Sequence, residues 1–191
     1  MDISALSLAA VLLVAPKKTV IPRETLERLA SNITLAAELS ETPFRGPQGR
    51  EAAALALVAI ARHESAFLPS VAICNVNGDG GRSVSPFQLM RGAAWDGHAR
   101  SELCNGGPLA AYLALRVLNV YPAKCFAKTP QAIFRSYASG SCSAASQAAT
   151  DICESWVSIS SRMGLVGASC SKSLPIRWAT VPQADGTTPG A

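Results

Sequence analysis

Glu64 is the residue of this 191-residue chain whose type and surroundings are best suited to acid–base chemistry. A carboxyl group that protonates a glycosidic oxygen near neutral pH needs a raised pKa. Burial in apolar surroundings raises the pKa because it disfavours the charged form. On a helix, Leu57, Ile60 and Ala61 extend an apolar stripe to this position. We therefore predict a general acid and base where an apolar helix ends, just before Pro69.

Two further blocks of polar and aromatic side chains follow Glu64 along the chain. Residues 83–90 (SVSPFQLM) come after a Gly-rich turn, and residues 134–140 (FRSYASG) end at a glycine that can stop a helix. A phenolic hydroxyl such as that of Tyr137 can hydrogen-bond a carboxyl group while its ring keeps water away. The sequence thus combines a candidate acid with groups that can line a cleft.

The tripeptide His63-Glu64-Ser65 and the two blocks that follow it resemble, in order and spacing, the soluble lytic transglycosylase family. Members carry a Glu-Ser pair, then a Gly-Leu-Met-Gln-like segment, then an Ala-Tyr-Asn-x-Gly-like segment. The likeness covers about residues 46–163. The chain departs from the pattern where residues 85–87 (SPF) replace the commoner Gly-Leu-Met, and where Ala138 stands in place of Asn.

The resemblance implies an enzyme that cleaves peptidoglycan glycan strands without a cofactor, with Glu64 as the catalytic residue. It also implies that Ser65 is the partner of the glutamate, that Gln88 helps to form a sugar-binding cleft, and that Tyr137 lies near the carboxylate. Seven residues are predicted to bind substrate: Ser65, Ser85, Phe87, Gln88, Met90, Tyr137 and Ser139.

The reaction implied by the resemblance needs one carboxylate. Glu64 would protonate the oxygen between N-acetylmuramic acid and N-acetylglucosamine and then act as base toward the muramyl 6-hydroxyl, which gives a 1,6-anhydro product. A hydrolytic lysozyme is the alternative, because glycosidases use two carboxylates and Asp79 lies in the following turn-rich segment. We favour a turn-forming role for Asp79 within Asn-Gly-Asp-Gly-Gly.

Other chemistries have little support in the sequence. His63 and His98 are the only histidines and show no HExxH or comparable spacing, so no metal site is expected. Ser83, Ser85 and Ser139 lie in no GxSxG elbow, which argues against a serine hydrolase.

The composition fits a compact, helix-rich protein, with 49% hydrophobic and 16% charged residues. The net charge of +4 is modest and no basic run is longer than Lys17-Lys18, so we expect no nucleic-acid partner. A mildly basic surface suits an anionic cell wall, and an ordinary solvated surface would explain the same charge equally well. Core packing is the expected use of Trp95, Trp156 and Trp178, and Trp95 is the one best placed to line a sugar cleft.

Residues 5–15 (ALSLAAVLLVA) form an apolar segment too short to span a bilayer. We favour a retained packing or docking helix over a signal peptide, because Asp2 replaces a basic residue and Pro16 follows the possible cleavage point. The protein would then reach the wall by a phage particle, a lysis system or a secretion machine. A non-enzymatic docking protein that keeps a lysozyme-like fold in such an assembly is the alternative from another class.

The chain has six cysteines and no CxxC pair, which argues against a zinc ribbon or a thioredoxin-like motif. Two interpretations stay open: disulfides in a periplasmic, extracellular or virion-associated location, or buried free cysteines. A pairing of Cys142 with Cys153 is excluded if both lie on one helix, because about 16 Å of helix rise would separate them. The chain layout leaves Cys74 with Cys104 and Cys153 with Cys170 as the most plausible bridges.

Several helices are predicted from apolar spacing and from breakers. They cover 22–39, 51–64, about 108–120, 130–140 and 143–163, the last with Ser143 as N-cap and Gly164 as stop. Residues 69–86 are predicted to form a short hairpin or irregular β-lobe, because Val71, Ile73 and Val76 favour strands before several turn signals. The tail from about Ala179 is predicted to be disordered.

The fold class that follows is mainly α (α+β). By resemblance it is lysozyme-like, with a buried central helix, a small β-hairpin lobe and a helical lobe that form a cleft. We divide the chain into an N-terminal extension over 1–45, a catalytic domain over 46–165 and a C-terminal extension over 166–191.

Overall fold

The computed structural model describes residues 2–44, 46–75, 82–165 and 167–172. These residues are mainly helical with one small antiparallel hairpin, which confirms the predicted fold class at that level. The helices are α1 Ile3–Val14, α2 Arg23–Leu39, α3 Gly49–Ser65, α4 Pro69–Ala72, α5 Arg100–Leu103, α6 Leu109–Lys124, α7 Pro130–Ser139 and α8 Gln147–Arg162. The hairpin pairs β1 Ser83–Val84 with β2 Leu89–Met90, and Val84 lies opposite Leu89.

Helix α3 is the axis of the core. Every residue from Ala52 to Ala61 is fully or almost fully buried, and most are alanines, whose small side chains let neighbouring helices approach from all sides. Its first residue has to be a glycine, because a Cβ at Gly49 would lie 2.3 Å from the carbonyl oxygen of Phe44. The predicted buried helix is therefore present, and it begins at Gly49 and ends at Ser65.

Helices α1 and α2 pack on α3 and share its core. Leu6, Ala10 and Val11 of α1 are almost completely buried, as is Ile33 of α2. The apolar segment predicted as a packing or docking helix thus buries one side against the core, while Leu12 is 43% exposed. Within the described residues, none of the helices has the length and apolarity to cross a membrane.

Helix α8 covers another side of α3, and Trp156 is its anchor. The indole N–H donates a 3.1 Å hydrogen bond to the carbonyl of Ala52, and the ring stacks on Phe44 with 5.2 Å between centroids. This buried tryptophan fixes the first turn of α3. Trp156 is therefore a core residue, as predicted.

The boundaries of α7 agree with the prediction and those of α8 do not. Thr129 caps α7 by accepting from the Ala132 N–H, and Gly140 ends it in the left-handed region at φ 63°. Ser143 was predicted to cap α8, but Ser146 is the N-cap and accepts from the Ala149 N–H. The Ser143 N–H instead donates to Ser141 Oγ, so this residue belongs to a turn before the helix.

The hairpin lies later in the chain than its strongest strand signals. Val71 is part of α4, a single helical turn that begins at Pro69, where the fixed φ of proline favours a first turn. Ile73 follows as the residue that ends this turn, so the strand prediction was wrong for both. Val76 and Asp79 lie outside the described residues, as do Trp178 and the tail from Ala179.

Three disulfides link the six cysteines: Cys74–Cys104, Cys125–Cys142 and Cys153–Cys170. The first and third are the two pairings that the chain layout favoured. The first closes a loop that contains the hairpin and ties its base to α5, where Arg100 also donates to the Cys74 carbonyl.

Candidate active site

Glu64 occupies the last turn of α3, where the helix stops abruptly. Ala66 and Phe67 both adopt left-handed backbone conformations, at φ 48° and 61°. The buried Ser65 hydroxyl donates to the Ala61 carbonyl at 2.7 Å and accepts from the Phe67 N–H at 3.2 Å. Ser65 thereby fixes the turn directly after Glu64 through backbone contacts.

The Glu64 carboxyl group is partly buried at this helix end. Burial raises its pKa from 4.5 to about 7, because the surroundings solvate the carboxylate poorly. Leu57, Ile60 and Ala61, predicted to extend an apolar stripe to Glu64, are all fully buried. A carboxyl group with a pKa near neutral pH can give a proton in one step and accept one in the next.

Tyr137 lies close enough to Glu64 to be affected by its charge. Burial and then the negative charge of Glu64 hold the pKa of Tyr137 well above its usual value, so the phenol stays protonated. Its hydroxyl donates a 2.6 Å hydrogen bond to the backbone carbonyl of Phe87. Tyr137 therefore joins α7 to the hairpin beside the carboxyl group, and its proton is engaged by a carbonyl and not by Glu64.

The loop of the hairpin, from Ser85 to Gln88, is tightly folded. Ser85 and Gln88 have φ values of 72° and 48°. The Ser85 carbonyl accepts from both the backbone and the side-chain amide of Gln88, each at 3.1 Å, and Ser85 Oγ accepts from the Phe87 N–H. Phe87 is buried in the core, so its ring anchors the loop.

The predicted site residues thus divide into two groups. Glu64, Tyr137 and the Phe87 backbone are brought together, while Ser65 and Ser85 are buried and bond to backbone groups of their own turns. Met90 is 56% exposed on β2, and the hydroxyl of the exposed Ser139 bonds to the Arg135 carbonyl. Within the described residues, no hydrogen bond links either of these, or Gln88, to Glu64.

Two concave regions flank this part of the molecule without containing Glu64. One, of about 440 Å³ including its open mouth, is lined by Phe67, Pro86 and Phe87 together with residues of α2 and α6. The other lies along α6 and the segment after β2, where Arg116 pairs with Asp96. Asp79 and the rest of 76–81, which follow Glu64 in the chain, lie outside the described residues.

The remaining candidate groups lie away from Glu64 or serve the core. His63 is exposed at the helix position just before Glu64, and His98 pairs with Glu102 at 3.4 Å. Trp95 is 9% exposed and its indole donates to the Leu89 carbonyl, so it supports the hairpin from within. In the described part of the chain, no three His, Cys, Asp or Glu side chains are grouped as metal ligands.

The site feature that sequence reasoning missed is the Phe87 carbonyl as the partner of Tyr137. A backbone acceptor carries no side-chain signal, and the two residues are 50 positions apart.

Comparison of the chain with protein-family models, with curated proteins and with solved structures finds no match.

Proposed function

We propose that this protein cleaves peptidoglycan glycan strands, with Glu64 as the general acid and base of a lytic transglycosylase. The observation that carries the proposal is the position of Glu64. It is a partly buried carboxyl group at the end of a buried helix, with a pKa raised to about 7, beside a protonated tyrosine. The order of the three sequence blocks around Glu64, Gln88 and Tyr137 supports the same assignment.

The reaction uses the two protonation states of Glu64 in turn. The protonated carboxyl group donates its proton to the oxygen between N-acetylmuramic acid and N-acetylglucosamine, and the bond from that oxygen to muramyl C1 breaks. The N-acetylglucosamine side leaves as an alcohol, while positive charge develops at C1. The Glu64 carboxylate then accepts the proton of the muramyl 6-hydroxyl, whose oxygen bonds to C1. Glu64 returns to its protonated form and no water is consumed.

A pKa of about 7 suits both steps. An ordinary glutamate would be almost fully ionised at neutral pH and unable to act as an acid. A much higher pKa would leave it unable to act as a base. Tyr137 acts as a positioning residue, since its hydroxyl holds the hairpin loop.

The location that the proposal needs is an oxidising one outside the cytoplasm. The three disulfides fit this location, because such bonds persist in the periplasm and in extracellular proteins. Peptidoglycan lies in the same compartments. We also propose that a virion, a lysis system or a secretion machine delivers the protein to the cell wall.

The experiment is a comparison of wild type with Glu64→Gln on purified murein. We expect the wild type to clear a murein suspension and to release fragments that end in 1,6-anhydromuramic acid, as identified by mass spectrometry. Glu64→Gln should release none, since an amide cannot supply the proton. The matched control is Glu51→Gln, which makes the same change in the first turn of α3.

Each outcome has a distinct meaning. Undiminished release by Glu64→Gln would falsify the role of Glu64. Fragments with reducing muramic acid ends would show that the reaction is hydrolysis and not transglycosylation. Asp79 is the candidate for the second carboxylate of that reaction. Binding of the wild type to murein without release of any fragment would favour the non-enzymatic docking protein.

A further inference from the structure

The connection between α6 and α7 carries an exposed phenylalanine between two lysines. Phe126 is 83% exposed, and Lys124 and Lys128 on either side of it are exposed as well. We name these three residues the cationic tip. Most of this aromatic side chain lies outside the core, and with the two lysines it forms an exposed apolar group flanked by positive charge.

The backbone conformation at Phe126 is also unfavourable for a phenylalanine. Its φ is 50°, in the left-handed region, where a glycine or asparagine at the end of a helix is accommodated at lower cost. The Phe126 N–H bonds to the Ala123 carbonyl, as required to end α6, and this bond does not depend on the side chain. Neither the turn nor the core explains the ring.

The part of the sequence that contains the cationic tip carries charge of one sign. Residues 103–150 contain no Asp or Glu and four basic residues: Arg116, Lys124, Lys128 and Arg135. Their four charges equal the net charge of the whole chain, +4, so the rest of the chain is balanced. Arg116 is paired with Asp96, which leaves the positive charge concentrated toward α7.

The neighbouring chain segment keeps the cationic tip open and fixed in place. Cys125, next to Phe126, is bonded to Cys142, and this bridge brings the segment after α7 beside the tip. The exposed residues of that segment are small and uncharged: Cys142, Ser143, Ala144 and Ala145. This segment has no carboxylate to neutralise the lysines and no bulky side chain to cover the ring.

We propose that the cationic tip binds the surface of an anionic lipid bilayer, with the Phe126 ring in the interfacial region and both lysines on lipid phosphates. Positive charge is attracted to anionic lipids, and an aromatic ring gains by leaving water at the interface. A hydrated anionic polymer would satisfy the lysines but would leave most of the ring in water. The proposal is independent of the proposed catalytic function.

The test is co-sedimentation of the oxidised full chain with phosphatidylcholine vesicles that contain phosphatidylglycerol. We expect binding that falls steeply with salt and is far weaker on vesicles of phosphatidylcholine alone. Phe126→Asn should lower the partition coefficient by about tenfold, since the apolar ring is lost. The double change Lys124→Gln with Lys128→Gln should lower it by roughly 25-fold, about fivefold for each lysine.

The controls distinguish binding by the cationic tip from nonspecific binding by other exposed apolar side chains and from the effects of misfolding. Leu39→Asn removes a 79% exposed apolar side chain that lies between Glu38 and Glu41, and it should leave binding unchanged. Asparagine is suited to a left-handed backbone, so Phe126→Asn should melt at or above the wild-type temperature. That melting curve shows that any loss of binding arises from the missing ring.

Three results would overturn the proposal. One is wild-type binding by Phe126→Asn. Another is loss of binding with Val20→Asn and not with Phe126→Asn, since Val20 is 96% exposed two residues after Lys18. The third is binding to lipid-free polyglycerol phosphate in place of vesicles, with the same dependence on the two lysines, which would make the surface a site for a wall polymer.

Discussion

The hydroxyl of Tyr137 and the backbone carbonyl of Phe87 are joined by a hydrogen bond of 2.6 Å, which connects α7 to the loop of the hairpin. The charge of Glu64 acts on the same phenol. One side chain therefore links three separate parts of the chain: the end of α3, the hairpin and α7. This contact adds to the buried Phe87 ring and to the Trp95 bond to the Leu89 carbonyl, which also hold the hairpin.

Tyr137→Phe should destabilise the protein and lower its activity. Removal of the hydroxyl leaves the carbonyl of the buried Phe87 without this partner, at a cost of about 1–3 kcal/mol in the free energy of unfolding. We expect murein cleavage to fall because the hairpin loop is less firmly held. Urea denaturation and the initial rate of fragment release measure the two effects. Tyr112→Phe, on the exposed side of α6, is the control and should change neither.

Burial of Glu64 should make stability depend on pH. The pKa of Glu64 is about 7 in the folded protein against an ordinary value of 4.5, so the folded state binds more protons between these values. Below about pH 4.5 the group is protonated in both states, so its burial costs little free energy. Stability therefore falls as the pH rises through this window, and the full penalty of about 3 kcal/mol is present above pH 7.

Glu64→Gln should remove this dependence. The difference in free energy of unfolding between the variant and wild type should grow in favour of the variant by about 3 kcal/mol from about pH 4.5 to about pH 8. Urea denaturation with the disulfides intact measures this difference. Glu51→Gln, at the other end of α3, controls for the change of residue type. Its free energy of unfolding should vary with pH as that of the wild type does. A constant difference between Glu64→Gln and wild type across this range would contradict the assigned burial.

The activity of the wild type should decline above about pH 7, because the first step needs the protonated form of Glu64 and its pKa is about 7. The measurement is the rate of release of anhydromuramyl fragments under subsaturating murein, as a function of pH. An ordinary glutamate would place this decline near its usual pKa of 4.5. A rate that continues to rise from about pH 7 to about pH 9 would argue against Glu64 as the acid.

Loss of the Cys74–Cys104 disulfide should affect both stability and the site. The two cysteines are 30 residues apart, and the double change to alanine should cost about 3–4 kcal/mol by releasing the closed loop. Because that loop contains the hairpin, murein cleavage should fall even where the protein remains folded. Replacement of Cys153 and Cys170 by alanine should cost a similar amount but leave the activity of the folded protein unchanged.

Gly49→Ala should destabilise the protein although alanine favours helices. The substitution ordinarily gains about 0.5–1 kcal/mol within a helix. Here the added Cβ would lie 2.3 Å from the Phe44 carbonyl oxygen, so the start of α3 would have to move away from the segment before it. A lower melting temperature is expected by calorimetry. Gln48→Ala, at the adjacent N-cap position without a side-chain capping bond, should have little effect.

Much of the helical framework was predictable because its signals are local. The apolar run of α3, the threonine cap and glycine end of α7, and the periodicity of α8 each lie within one element. The start of α8 was not predictable in this way, because Ser143 and Ser146 are both good caps. The Cys125–Cys142 bridge holds the residues before Ser146 in a turn, and that constraint comes from a distant part of the chain.

The sequence by itself determined a helix-rich protein around a buried alanine-rich helix, and it placed Glu64 at the end of that helix. Tertiary structure decided what surrounds the carboxyl group. The raised pKa depends on burial by packed neighbours, and the contact of Tyr137 with Phe87 uses a backbone carbonyl that any residue would provide. Burial and backbone contacts between distant residues have no local sequence pattern, so only the packed fold establishes them.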